Sequence, residues 1–260
     1  MEDVQSFLLE REAENNLSLG LLASGGSAYV VRRHGVRCVL AHAGRRASLS
    51  LAPTATAEDL RQLGELLPDT VVSITGPAPW TRELAQQLAR RLGRVAELKD
   101  CMRLYRLTRV DPPGVPGELV ALGEQDESWL VGWMLEFFRE ALPFERLQPE
   151  EVAASCRSKL LQGDFFAWRA EGRLVSAAAL TRPTPRGVCL SSVFTPQELR
   201  GRGYASAVSA ALSQHALDGG KLFCVLYADR DNAISNAVYQ KIGYRAIAEH
   251  EVYHLERAVP

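Results

Sequence analysis

Along this chain the spacing of apolar residues changes repeatedly between a helical and an alternating period, and those changes mark out the elements. Residues 3–14 read as a helix, followed by two β-rich runs, SAYVVRR and VRCVLAHA, separated by His34-Gly35, where the glycine suits a hairpin turn. A third run, ASLSLA, alternates as a strand does. A helix (AEDLRQLGELL), a strand (TVVSIT), a helix (TRELAQQLARRLG) and a long β-like run (AELKDCMRLYRLTRV) complete this mixed half. The segment VDPPGVPGE, Val110 to Glu118, has three prolines and two glycines and is the best linker candidate. Beyond it, Asp126 to Ala141 is helical with Trp129, Trp133 and Phe137 at helical spacing, and residues 149–162 form a second helix. Strands are expected over Phe165–Arg169, Arg173–Thr181 and Val188–Thr195, then a helix Tyr204–Leu217, a strand Leu222–Ala228, a helix Ala233–Ile242 and a strand Arg245–Leu255.

Two stretches repeat the order strand, turn, helix ending in glycine, strand with Tyr-x-Leu: SITGPAPWTRELAQQLARRLGRVAELKDCMRLYRL and CVLYADRDNAISNAVYQKIGYRAIAEHEVYHL. Gly93 answers Gly243 and Tyr105 answers Tyr253. Glycine ends many helices, so duplication and coincidence both remain open on this pattern alone.

Composition narrows the function classes. A chain of 260 residues that is 47% hydrophobic can bury a real core, and a formal net charge of -1 gives no general field toward nucleic acid or anionic lipid. Five scattered cysteines show no disulfide framework or zinc spacing, and the acidic start MEDVQSFLLEREAENN lacks a signal peptide's apolar stretch. The expectation is a cytoplasmic, reduced protein with no membrane span, no nucleic-acid partner and no metal.

Chemistry concentrates in LSSVFTPQELRGRGYA, Leu190 to Ala205: an apolar strand, a polar linker, two glycines one residue apart, then a helix. Amino-terminal helix amides lack internal partners and carry the positive end of the macrodipole, Gly201 and Gly203 admit a ligand close to the backbone, and Arg200 and Arg202 add charge. A pyrophosphate fits. The same residues also fit a solvated glycine loop that merely opens a helix. A dinucleotide fold is the sharper rival, since Asp229 ends the next strand. Against it, Ser206 stands at the third glycine position, TPQELR is too long for the tight turn, and only 31 residues follow Asp229.

VFTPQELRGRGYA resembles the cofactor motif of the GCN5-related N-acetyltransferase (GNAT) superfamily, Arg/Gln-x-x-Gly-x-Gly/Ala, from Arg200 through Gly203 to Ala205. LYADRDNAISNAVYQKIGYR is similar to the superfamily's next motif, with Asn232, Asn236, Tyr239 and Gly243 in the matching places. The resemblance implies an α+β fold with a mixed central sheet flanked by helices, the acyl-CoA N-acyltransferase fold, in two tandem halves: a degenerate domain over residues 1–110 and a catalytic domain over 117–260. The first half has LAPTATAEDLRQLG where a cofactor loop would stand and is not expected to bind CoA. Acetyl-CoA is the implied co-substrate, held by Val193, Phe194, Thr195, Arg200, Gly201, Arg202, Gly203, Tyr204, Ala205, Asn232 and Asn236. Val188–Thr195 and Leu222–Ala228 should lie parallel and splay, leaving backbone groups for the pantetheine amides.

Thioester aminolysis needs a positioned neutral amine, stabilisation of the oxyanion and a proton for the thiolate. Tyr239 is the candidate acid, its reference pKa of about 10 lying slightly above the thiol's, about 8.5. A packing role for Tyr239, and turn or helix roles for the asparagines, stay open. No carboxylate on Val188–Thr195 offers a base, while Glu136, Glu140 and Glu145 read as a solvated face. Cys189 and Cys224 read as core residues, favouring direct attack in a ternary complex over an acetyl-cysteine. The acceptor is a primary amine of a small molecule or peptide, and the oligomeric state is monomer or homodimer. A catalytically silent acyl-CoA sensor or interaction module is the alternative.

Overall fold

The computed structural model describes residues 2–145 and 147–257, which form two compact units. The first comprises Met1–Tyr105 with Tyr227–Asp231 and Ala246–Pro260, the second Arg106–Leu226 with Asn232–Arg245. Each is a mixed sheet with helices against it, as the α+β reading expects.

In the first unit, helices α1 (Glu2–Glu10) and α2 (Asn16–Ala23) precede strands β1 (Ser27–Arg32), β2 (Val36–Ala43) and β3 (Arg46–Leu51). The single helix expected over 3–14 is broken, because the Asn15 side-chain amide donates to the Leu8 carbonyl at 3.0 Å and competes with the helical ladder. His34 (φ 57°) and Gly35 (φ 128°) turn β1 into β2 with two positive φ angles, which a tight hairpin requires. Helix α3 (Ala57–Leu66), strand β4 (Ser73–Pro77), helix α4 (Trp80–Leu92) and strand β5 (Arg94–Leu107) follow. Leu40, Leu49, Leu60, Leu63, Ile74, Leu84 and Leu88 are buried together, and each such side chain contributes about 1.5–3 kcal/mol over an exposed one.

The second unit begins with β6 (Glu118–Ala121), a strand too short and too close to the prolines to show in the pattern. Helices α5 (Glu127–Ala141) and α6 (Pro149–Leu161) lead into β7 (Phe165–Ala170), β8 (Arg173–Thr181) and β9 (Gly187–Phe194). Then come α7 (Tyr204–Asp218), β10 (Phe223–Asp229) and α8 (Ala233–Lys241), giving the strand order β10-β9-β8-β7-β6. Only β9 and β10 are parallel in that run. The indoles of α5 face β9: Trp129 meets Trp133 edge-on at 4.8 Å, and Trp133 reaches Phe194 at 6.0 Å.

The last strand, β11 (Arg245–Arg257), follows α8 in sequence but completes the first unit. It pairs antiparallel with β4, Tyr253 opposite Ile74, and Tyr253 and Leu255 join that unit's core.

Candidate functional site

Parallel strands β9 and β10 share only three residue pairs, Phe223↔Gly187, Cys224↔Val188 and Val225↔Cys189. From Leu190 onward β9 has no strand partner on that edge among the described residues, so a fork opens beyond Cys189. Against β8, Ala177 faces Phe194 and Ala179 faces Ser191, which leaves Ser192 and Val193 together opposite Ala178. This bulge puts Ser192 at φ 53°, a left-handed conformation few non-glycine residues adopt, and turns backbone groups out of the ladder. Buried or half-buried peptide groups at such a fork need partners, which an amide-bearing ligand can supply.

After β9 comes a 3₁₀ turn, Gln197–Leu199, then Gly201 (φ 78°) and Gly203 (φ 80°). The first helical amide of α7 to reach back is that of Ala207, bonded to the Gly203 carbonyl at 3.0 Å. The amides of Arg202 through Ser206 meet no backbone carbonyl among the described residues, and Gly203 offers no capping side chain. An uncapped helix start with bare glycines ahead of it is an anion seat.

Tyr239, on α8, is half-buried, with its ring edge-on to Tyr244 at 6.0 Å. Burial pushes its phenol well above the ordinary value, with the nearby Cys189 thiol adding to the shift. Tyr244 is fixed in turn by a 2.8 Å hydrogen bond with Ser213. Gly243, which joins α8 to β11, has φ 109°, and a Cβ there would come within 2.6 Å of the Arg109 carbonyl. Cys189 lies 1% exposed, its Sγ 2.8 Å from Arg182 Nη2.

The comparisons with known proteins bear on this geometry. Residues 170–253 match the family model described as FR47-like protein. A GCN5-related N-acetyltransferase from Kribbella flavida superposes with a TM-score of 0.55 over 94% of this chain and 94% of its own, at 18% identity. A putative acetyltransferase of the GNAT family from Novosphingobium aromaticivorans does so at 0.52, covering 93% and 96%, at 21% identity. The chain has the GCN5-related N-acetyltransferase fold. A tandem GNAT protein from the clavulanic acid biosynthesis pathway matches 89% of this chain and 82% of its own, at a TM-score of 0.53 and 17% identity, in keeping with two GNAT halves. No curated protein matches the sequence.

Within this GNAT fold the residues singled out in the sequence meet different fates. Val193 is half-buried at the bulge, while Phe194 and Thr195 are buried, the Thr195 hydroxyl 2.9 Å from that of Ser176. Arg200 donates to the Thr195 carbonyl at 2.9 Å and pairs with Glu140 of α5 at 2.7 Å. Glu140 is therefore tied to the loop. Gly201, Arg202 and Gly203 are exposed, and Tyr204 and Ala205 are half-buried in the first turn of α7. Asn232 caps α8, accepting from the Ser235 amide at 3.0 Å, and Asn236 donates to the Asn232 carbonyl at 2.7 Å, so both also serve the helix. Burial raises the Cys224 thiol to about 12, far from a reactive thiolate.

Two features had no sequence signal: the positive φ of Ser192, and the Glu140–Arg200 pair, which joins residues sixty positions apart.

The first unit answers the same local question differently. The start of α3 is closed by its own carboxylate, since Asp59 accepts from the Thr56 amide and hydroxyl at 2.9 Å each and from Arg37 Nε at 3.2 Å. The Thr56 hydroxyl oxygen in turn accepts from the Asp59 amide at 3.2 Å. Asp59 is fully buried and occupies the helix end that α7 leaves open.

Proposed function

We propose that this protein is an acetyl-CoA-dependent N-acetyltransferase acting in the cytoplasm on a primary amine. One observation carries the proposal: the uncapped start of α7 behind Gly201 and Gly203 lies at the open end of the β9–β10 fork, in the unit that contains Tyr239. The amides of Arg202 to Ser206, with Arg200 and Arg202, would hold a pyrophosphate. The free edge of β9 through Val193, Phe194 and Thr195 would hold pantetheine amides, and Asn232 and Asn236 would flank them.

When bound, acetyl-CoA supplies a thioester whose carbonyl is attacked by a neutral amine, the C–N bond forming as the C–S bond breaks. Tyr239 keeps its proton throughout the neutral range because burial raises its pKa, and that phenol would protonate the departing thiolate. Cys189 is sealed in the core, which favours direct attack over a cysteine-borne acetyl group.

The test is release of free thiol from acetyl-CoA across a panel of amines. Turnover supports the enzyme, whereas tight CoA binding with no turnover on any amine favours the silent sensor.

A further inference from the structure

On the α6 side of the second unit a cleft of about 310 Å³ opens between the end of α6 and the turn from β8 to β9. Ser158, Lys159, Gln162, Asp164, Thr181 and Arg182 line it. Lys159 Nζ lies 5.6 Å from the centre of the Phe165 ring and forms no ion pair among the described residues. Burial lowers the Lys159 ammonium and raises the Asp164 carboxyl from their ordinary values. The Asp164 carboxylate offsets part of the cost of burying the Lys159 ammonium, and an incoming anion would offset more of it.

The cleft borders the fork. Arg182 Nη2 touches Cys189 Sγ at 2.8 Å, and Cys189 is the last residue of β9 to pair with β10. Next to Arg182, the Thr181 hydroxyl donates to the Ser191 hydroxyl at 3.1 Å, just before the bulge.

We propose that this cleft is the acceptor subsite and that the acceptor is a small amine that also carries a carboxylate, an amino acid, with Lys159 and Arg182 holding the carboxylate. This rests on the acetyl-transfer reading above. Two cations share the cleft with the one carboxylate of Asp164, a lining that suits a single further carboxylate, while a phosphate dianion would meet Asp164 unfavourably. Two cations beside the acceptor also lower the pKa of its amine, raising the fraction that can attack.

The experiment compares α-amino acids with their α-amides as acceptors in the thiol-release assay. An amide's amine is the less basic and is more often neutral near pH 7.5, so reactivity alone favours the amides. The expected result is at least a tenfold higher kcat/KM for the acids. Lys159→Met should raise KM for the acids about tenfold or more, Lys159→Arg should restore most of it, and the Kd for acetyl-CoA should not move in either variant. Amides acetylated as well as acids, or an unchanged KM in a folded Lys159→Met protein, would overturn the proposal.

If no amine turns over, calorimetry with the same panel decides. Acids that bind and amides that do not, with binding lost in Lys159→Met, uphold the subsite even where the acetyl-transfer reading fails. Binding of neither overturns it. Failure of acetyl-CoA itself to bind counts against the acetyl-transfer reading alone.

Discussion

Single side chains divide into those that would act on the reaction and those that hold the fold. The Tyr239 hydroxyl should matter most as the thiolate leaves, so Tyr239→Phe should lower turnover by roughly one to three orders of magnitude with little change in KM for acetyl-CoA. Because burial raises its pKa, the falling limb of the parent's pH profile should lie above about 10, later than an exposed tyrosine would give. Equal rates and profiles in parent and variant would remove the role. Gly203 is a poor probe of the anion seat, since a Cβ there meets Val115 at 2.9 Å and φ is 80°. Ala205→Glu is better. A carboxylate in the first turn favours the helix yet opposes a pyrophosphate, so Kd for acetyl-CoA should rise at least tenfold with Tm nearly constant. An unchanged Kd would place the pyrophosphate elsewhere.

His250 works on stability instead. It is buried beside the Tyr227 ring, Nδ1 has no hydrogen-bond partner among the described residues, and burial lowers its pKa to about 4. The folded value lies below the unfolded one, about 6.5, so the unfolded chain takes the proton first as pH falls. Stability should drop between pH 6.5 and 4 by at most about 3 kcal/mol. His250→Phe should flatten that slope in urea unfolding at pH 7 and 4.5, and an unaltered slope would assign the acid lability to other groups.

At the scale of elements, the two corresponding helix starts show how one local problem has two solutions. Helix α3 satisfies its first turn with Thr56 and Asp59, and helix α7 leaves the turn open behind two glycines. The contact of α5 with the α7 loop through Glu140 and Arg200 sets a competition, because an anion seated there would draw on the same guanidinium. Both partners are about half exposed, so the pair itself is worth little, under about 1 kcal/mol. Glu140→Gln should therefore tighten acetyl-CoA binding a few-fold at low salt, with the gain shrinking at high salt. Weaker binding in that variant would mean Glu140 holds Arg200 in its working position.

For the whole molecule, the placement of β11 governs what the chain can lose. A fragment starting near Pro116 keeps Arg200, Gly203 and Tyr239 but leaves β11 without β4, and residues 1–110 lose the strand that brings Tyr253 and Leu255 into their core. Each fragment alone should aggregate or remain poorly folded, and co-expression should recover CoA binding; a monomeric carboxyl-terminal fragment that binds CoA would refute this. The sequence by itself determined most elements, the anion-binding character of Arg200–Ala205 and the resemblance that names the fold, because periodicity, glycine placement and helix-end chemistry are local. It determined neither the break after Glu10, nor β6, nor the bulge at Ser192. Only the tertiary structure decided that β11 completes the first unit, that Glu140 meets Arg200, and that Lys159 and Arg182 line one cleft beside Cys189. Those facts join residues far apart in the chain, and no pattern of neighbours encodes which distant strand edge or charge a residue will meet.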